Sequence, residues 1–342
     1  MNIFEIKKTK MLDEATFGHK PQSIFLVVLI FMLVFLIGNT IQGVILAIPT
    51  AVYAVSAIFS NEAFQAFIEG VKNDTVTEEG YEEVIEQVTT EILASMPAWL
   101  TVVNLFATAA TIAAAIFYCK KFEKRPISSM GIRKEGAFFE YLIGVGIGTL
   151  MMGLTYLIAY LTGSVDISVS EYISPIIILF FLGFVVQGAS EEILVRGYLM
   201  ISLARDTKVF VAILLSSLFF GLMHLGNPNF GVIGFINIIL FGVFLGIYVF
   251  KRGSLWGACA IHTMWNFIQG NVFGVSVSGL GIMPSFFTTT VNEGKDLISG
   301  GAFGLEGGIA STCVLLLGIL IVLLVKTKES EASEFEPQVN IF

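Results

Sequence analysis

Phe180-Phe-Leu-Gly-Phe-Val-Val-Gln187-Gly-Ala-Ser-Glu191-Glu192-Ile-Leu-Val-Arg196 is a membrane-grade apolar run interrupted by two adjacent carboxylates and a guanidinium. An ionisable side chain at the centre of a bilayer costs roughly 2.5–3.5 kcal/mol or more, so such groups are rare and mostly functional. Two further apolar runs carry histidine, in Phe220-Gly-Leu-Met-His224 and His262-Thr-Met-Trp-Asn266. Two carboxylates, two imidazoles, an amide and a guanidinium are the groups needed to activate water and cleave a bond inside a membrane.

The rest of the chain fits that setting. Its 342 residues are 55% hydrophobic and only 13% charged, with 31 phenylalanines. A soluble domain carries about 25% charged residues, so this composition points to an all-α polytopic membrane protein in contact with a lipid bilayer. The net charge of −8 comes from one acidic segment and implies no acidic function. No basic stripe lies outside the juxtamembrane clusters, which argues against a nucleic-acid partner. Cys119, Cys259 and Cys313 form no CxxC, so neither a disulfide framework nor a zinc ribbon is expected. The first apolar run follows a charged stretch and is too long for the core of a cleavable signal peptide.

Runs long enough to cross a bilayer need about 20 apolar residues. Eight transmembrane helices are predicted, over 23–47, 97–119, 138–162, 173–195, 209–225, 231–250, 254–273 and 308–325. Lysine and arginine cluster at 7–20, 120–134, 205–208, 251–252 and 326–328, together 16 of the 19 basic residues. By the positive-inside rule both termini are cytoplasmic. The chain then divides into a cytoplasmic segment 1–22, a pair of helices 23–119 with an acidic external loop 49–96, a core 125–325 and a polar cytoplasmic tail 326–342. Within the loop, Val84, Ile85, Val88 and Ile92 recur at helical spacing, which predicts an exposed amphipathic helix. The external stretch 274–307 is glycine-rich, has no helical period and reads as a linker. Asn104, Gln187, Asn237 and Gln269 read as interhelical hydrogen-bonding groups. Trp99 and Trp256 read as interfacial anchors, and Trp265 as packing.

Counting from the polar turn Arg205-Asp-Thr-Lys208 relates two of the motifs. Glu191 lies 14 residues before Arg205 and His224 lies 16 after Lys208. At 1.5 Å per residue these are about 21 and 24 Å, so an antiparallel hairpin sets them opposite each other. Glu192 and Arg196 are i,i+4 and can pair, which assigns them to support, orienting Glu191. Glu191 points about 100° away from Glu192 and is the candidate general base. His224 is its partner in positioning or deprotonating water. His262 and Asn266, also i,i+4, suit donation to an oxyanion. A divalent metal such as zinc, held by Glu191, His224 and His262, is the alternative use of the same side chains. Against it, H-E-x-x-H is absent and the three groups come from three separate helices.

Glu-Glu-x-x-x-Arg at 191–196, Phe-x-x-x-His at 220–224 and His-x-x-x-Asn at 262–266 resemble the CAAX-protease and bacteriocin-processing family, also called Abi. The resemblance covers roughly 125–275, with Ser129-Met-Gly-Ile-Arg133 similar to a segment often seen ahead of that core. It implies an intramembrane endopeptidase with an eight-helix core, in a bacterial cell membrane. Its substrate would be a membrane-associated or lipidated peptide or protein, with bacteriocin processing or immunity as the wider role. It also implies that Glu191 and His224 activate water, while His262 and Asn266 form the oxyanion site. Both glutamate-dependent and metal-dependent mechanisms have been argued for that family. The cavity is expected to be reachable from the cytoplasmic half. Two other functions use the same residues: a proton-coupled transporter with Glu191 and His224 as relay, and a non-catalytic peptide-binding immunity or scaffold protein. The missing inverted repeat weighs against the transporter.

Overall fold

The computed structural model describes residues 9–17, 20–73 and 78–325. Residues 1–8 and 18–19 of the N-terminal segment and all of the tail 326–342 lie outside the described residues. The chain opens with a short helix, α1 (Lys10–Thr16), whose Met11, Leu12 and Ala15 are buried. The first spanning helix, α2 (Ile24–Ser60), is capped by Ser23, whose Oγ accepts from Leu26 N at 3.2 Å. It continues 13 residues past the predicted end at 47, because Gly-Val-Ile-Leu-Ala-Ile at 43–48 stays apolar and Pro49 does not break it.

The acidic loop is not irregular. It folds as the end of α2 followed by α3 (Glu62–Lys72) and α4 (Glu78–Ala94). Asn61 caps α3, with Phe64 N donating to its Oδ1 at 3.0 Å. The two helices then pack back on α2, where Tyr53 Oη donates to Ser95 O at 2.7 Å.

The next helix is split into α5 (Ala98–Ala107) and α6 (Ala109–Lys121). Thr108 at the break returns its hydroxyl to Leu105 O at 2.6 Å, a back-bond that bends helices. After α7 (Ala137–Leu161) comes strand β1 (Val165–Val169). The motif helix α8 (Ile177–Glu192) runs without a break through π-helical turns at 193–200 into α9 (Ile201–Asp206). Then follow α10 (Val209–Leu222), α11 (Val232–Arg252) and α12 (Trp256–Phe267), the last extended by π turns at 268–272. Strand β2 (Phe287–Val291), the short helix α13 (Asp296–Ser299) and α14 (Ile309–Leu324) complete the chain.

Among the described residues, five helices are long and apolar enough to cross a membrane: 24–60, 98–121, 137–161, 177–206 and 232–252. The predicted spans at 209–225 and 308–325 form apolar helices too short for that criterion. The span at 254–273 forms α12 and its π turns. The helix at 209 stops at Leu222 because Gly226-Asn227-Pro228-Asn229 follows, and Asn229 takes a left-handed φ of 56°. The architecture is that of an integral membrane protein of helices with one small addition. β1 and β2 pair antiparallel, from Val165 opposite Val291 to Val169 opposite Phe287.

Small residues set the closest approach in the bundle. α7 and α12 are in intimate contact through Gly144 and Gly148, spaced i,i+4. A Cβ on Gly148 would lie 2.6 Å from Ile261 O, and one on Gly144 would lie 2.3 Å from Gly257 O. The backbone of α12 is thus held close against α7 over the turns leading to His262. At the opposite face, Thr263 Oγ1 donates to Phe184 O at 3.3 Å, tying α12 to α8.

Candidate active site

Helix α8 presents Gln187 and Glu191 one turn apart, and Gln187 Nε2 donates to Glu191 Oε1 at 2.6 Å. From α12, Asn266 Nδ2 donates to Gln187 Oε1 at 3.0 Å. One oxygen of Glu191 is therefore held by a relay of amides from the facing helix. The other, Oε2, is buried and accepts no hydrogen bond from the protein. It faces His262 Nε2 at 3.6 Å and His224 Nε2 at 4.0 Å. Both gaps exceed a direct hydrogen bond.

The histidine rings are fixed from behind. His224 Nδ1 lies 2.8 Å from Phe220 O, and because a carbonyl only accepts, Nδ1 carries the proton. A neutral His224 then offers Nε2 as an acceptor towards Glu191. This residue is not within a helix, as its sequence context suggests, but in the turn just beyond α10. The Phe220 ring meets His224 edge-on at 4.8 Å and carries the Arg196 guanidinium on its face at 4.3 Å. His262 Nδ1 lies 2.9 Å from Glu192 Oε1, the same oxygen that accepts from Arg196 Nη1 at 2.9 Å. Glu192 and Arg196 side chains are completely buried. The pair expected from i,i+4 spacing is thus present, but its target differs. Glu192 orients His262, and Gln187 is what orients Glu191.

All four candidate catalytic residues, Glu191, His224, His262 and Asn266, line one cavity of about 240 Å³. Glu192 and Arg196 stand behind its wall. Asn104 and Gln42 of the first two helices line it too, and Gln42 Nε2 donates to Asn104 Oδ1 at 2.7 Å. So do Asn227, Ser278 and Glu306, from segments beyond α10 and α12. These lie at the end of the bundle away from the basic turns at 205–208 and 251–252. Counting from the turn gave the depth of Glu191, but the segment that forms the far wall has no readable pattern.

Residues 173–268 match the family model described as Rce1-like, the type II CAAX prenyl endopeptidases. That segment holds all six motif positions, and it agrees with the resemblance to CAAX proteases read from the sequence. It indicates a peptidase embedded in a lipid bilayer and acting on a peptide substrate. No curated protein and no solved structure matches the chain.

The metal alternative uses the same three side chains, Glu191, His224 and His262. Among the described residues, no group of three or more His, Cys, Asp or Glu is arranged to hold a metal ion. The hydrogen bonds to Glu191 Oε1 and to the two Nδ1 atoms leave Glu191 Oε2 and both Nε2 atoms uncommitted, an arrangement that suits water and a metal alike.

Sequence reasoning missed three contributors. Gln187 was read only as an interhelical bond, although its i,i+4 relation to Glu191 was available. Trp265 was read as packing, yet its Nε1 reaches Glu306 Oε2 at 3.4 Å. Glu306 itself sat unremarked in a stretch taken for a linker, and it is 7% exposed.

Proposed function

We propose that this protein is an intramembrane endopeptidase in which Glu191 activates water against a peptide bond. The observation that carries the reading is the unbonded Oε2 of Glu191, facing two imidazoles at 3.6 and 4.0 Å inside a polar-walled cavity. Water held between Glu191 Oε2 and His224 Nε2 gives up a proton to the carboxylate as its oxygen attacks the carbonyl carbon. His262 as an imidazolium, its Nδ1–H held by Glu192, donates Nε2–H to the developing oxyanion. Asn266 gives one amide N–H to Gln187 and has a second free for the same oxyanion. The proton on Glu191 then passes to the leaving amine. In this reading eight helices form the membrane domain, residues 125–325 are its core and both termini are cytoplasmic.

The test is hydrolysis of internally quenched apolar peptides by purified protein in detergent. Glu191→Gln is expected to lower kcat by about 10²–10⁴, the usual share of general acid–base catalysis, and to remain folded. Chelators are expected to leave the rate unchanged. Full activity in Glu191→Gln refutes the base. Loss on chelation, restored by zinc, refutes the metal-free step.

A further inference from the structure

Glu306 is a buried carboxylate that the chemistry above does not use. It sits in a short helical turn just before α14, and its backbone is pinned: Asn237 Nδ2 donates to Glu306 O at 2.8 Å and to Gly308 O at 2.9 Å. Its side chain is held by neutral donors. Ser278 contributes its backbone N–H and its hydroxyl, the latter at 2.7 Å. Gln269 Nε2 and Trp265 Nε1 each stand at 3.4 Å. Among the described residues no lysine, arginine or histidine pairs with it.

Two carboxylates, Glu191 and Glu306, and two imidazoles, His224 and His262, line the cavity it faces, and among the described residues no lysine or arginine does. The only guanidinium nearby, Arg196, is sealed behind the wall and paired with Glu192. Neutral donors orient and partly stabilise a carboxylate but set no counter-charge beside it. A buried carboxylate without a counter-charge is expensive to keep, and a cation arriving with a ligand repays that cost.

We propose that Glu306, set beside Trp265, is a recognition carboxylate that receives a lysine or arginine side chain of the peptide substrate. The inference rests on reading the cavity as a peptide-hydrolysing site, and it deepens that reading. The substrate class is a peptide with a cationic residue near the scissile bond. Glu306 binds and orients; it takes no part in proton transfer.

The test uses short amidated apolar peptides carrying either one lysine or one acetyl-lysine at each position in turn. Binding is read by fluorescence anisotropy on the Glu191→Gln protein, and cleavage by kcat/KM on the unmutated protein. Lysine at one position is expected to bind about tenfold tighter than acetyl-lysine, the size of one charge-assisted hydrogen bond. Adding Glu306→Gln should reduce that preference to within about twofold and leave the acetyl-lysine peptide unchanged. No lysine preference, a preference that survives Glu306→Gln, or an equal loss for both peptides overturns the proposal; the last outcome makes Glu306 a structural anchor only. Should Glu306→Gln not fold, dicyclohexylcarbodiimide coupling of the lysine peptide to the unmutated protein decides. An amide at Glu306 supports the proposal, and an amide elsewhere or none overturns it. Because binding is read without turnover, failure of cleavage would count against the peptidase reading and leave the Glu306 result standing by itself.

Discussion

Replacing Glu192 with glutamine tests the support of the site most directly. Glu192 Oε1 accepts two hydrogen bonds of 2.9 Å, from Arg196 Nη1 and His262 Nδ1, and its side chain has no exposed surface. Each bond to a charged group contributes about 1.5–3 kcal/mol net. Removing one partner of a buried pair costs about 3–5 kcal/mol, because the other charge is left uncompensated. Nothing nearby can take over, since Arg196 Nε and Nη2 already lack hydrogen-bond partners. We expect Glu192→Gln to lose about 4 kcal/mol, roughly a thousandfold in the folding equilibrium. The assay is reversible unfolding in mixed micelles by titrated SDS. The double variant Glu192→Gln/Arg196→Met should recover most of that loss, because it leaves no unpaired charge. It should not recover catalysis. His262 loses its carboxylate, and kcat should stay down by about 10²-fold in both variants. A loss under about 1 kcal/mol in Glu192→Gln, or a double variant no more stable than the single, would refute the argument.

Further outcomes follow from the same contacts. Gly148→Val should cost about 1–3 kcal/mol through overpacking against Ile261 O. It should also lower kcat by about 10²-fold, because α12 must move by about 1 Å at His262; wild-type kinetics would show that α12 is not held there. Asn266→Ala should reduce kcat by about 10²–10³ with little change in KM, as expected for a donor used mainly in the transition state; an effect on KM alone would make Asn266 a binding residue. At the outer hairpin, hydrogen bonds from Gln87 and Asn61 hold the Glu91 carboxyl below the usual carboxylate range. Its contribution is therefore present above the ordinary carboxylate value of about 4.3 and is lost as pH falls through the lowered one. Backbone hydrogen exchange around Glu91–Ser95 should accelerate on acidification, and Gln87→Ala should flatten that dependence; an unchanged profile would contradict it.

Helix-period information carried most of what the sequence disclosed. Glu192 and Arg196 pair at 2.9 Å because four residues make about one turn, and that relation is independent of the rest of the fold. Glu191 and His224 lie 4.0 Å apart, as a count from the shared turn at 205–208 suggests. That count assumed a regular rise, although π turns occupy 193–200. Contacts between helices carry no such signature. The carboxylate that grips His262 is 70 residues away in sequence, and the amide that positions Glu191 depends on Asn266 of another helix. The stretch 274–308 was opaque for a different reason. Its order comes from tight glycine turns and from single bonds such as Asn237 to Glu306 O, neither of which has a period. β1 escaped notice because a five-residue strand that pairs only with a partner more than a hundred residues later has no local cue.

The length of α2 has one more consequence. At 37 residues it extends about 55 Å, whereas the hydrocarbon layer is about 30 Å thick. Its start is moored to the Arg205–Lys208 turn, where Gln22 N donates to Asp206 Oδ2 at 3.2 Å. A start level with one membrane face leaves a surplus of about 25 Å beyond the other. α3 and α4 would then ride on that mast, and a soluble protease is expected to shave them off intact particles while the cavity at Glu191 stays whole.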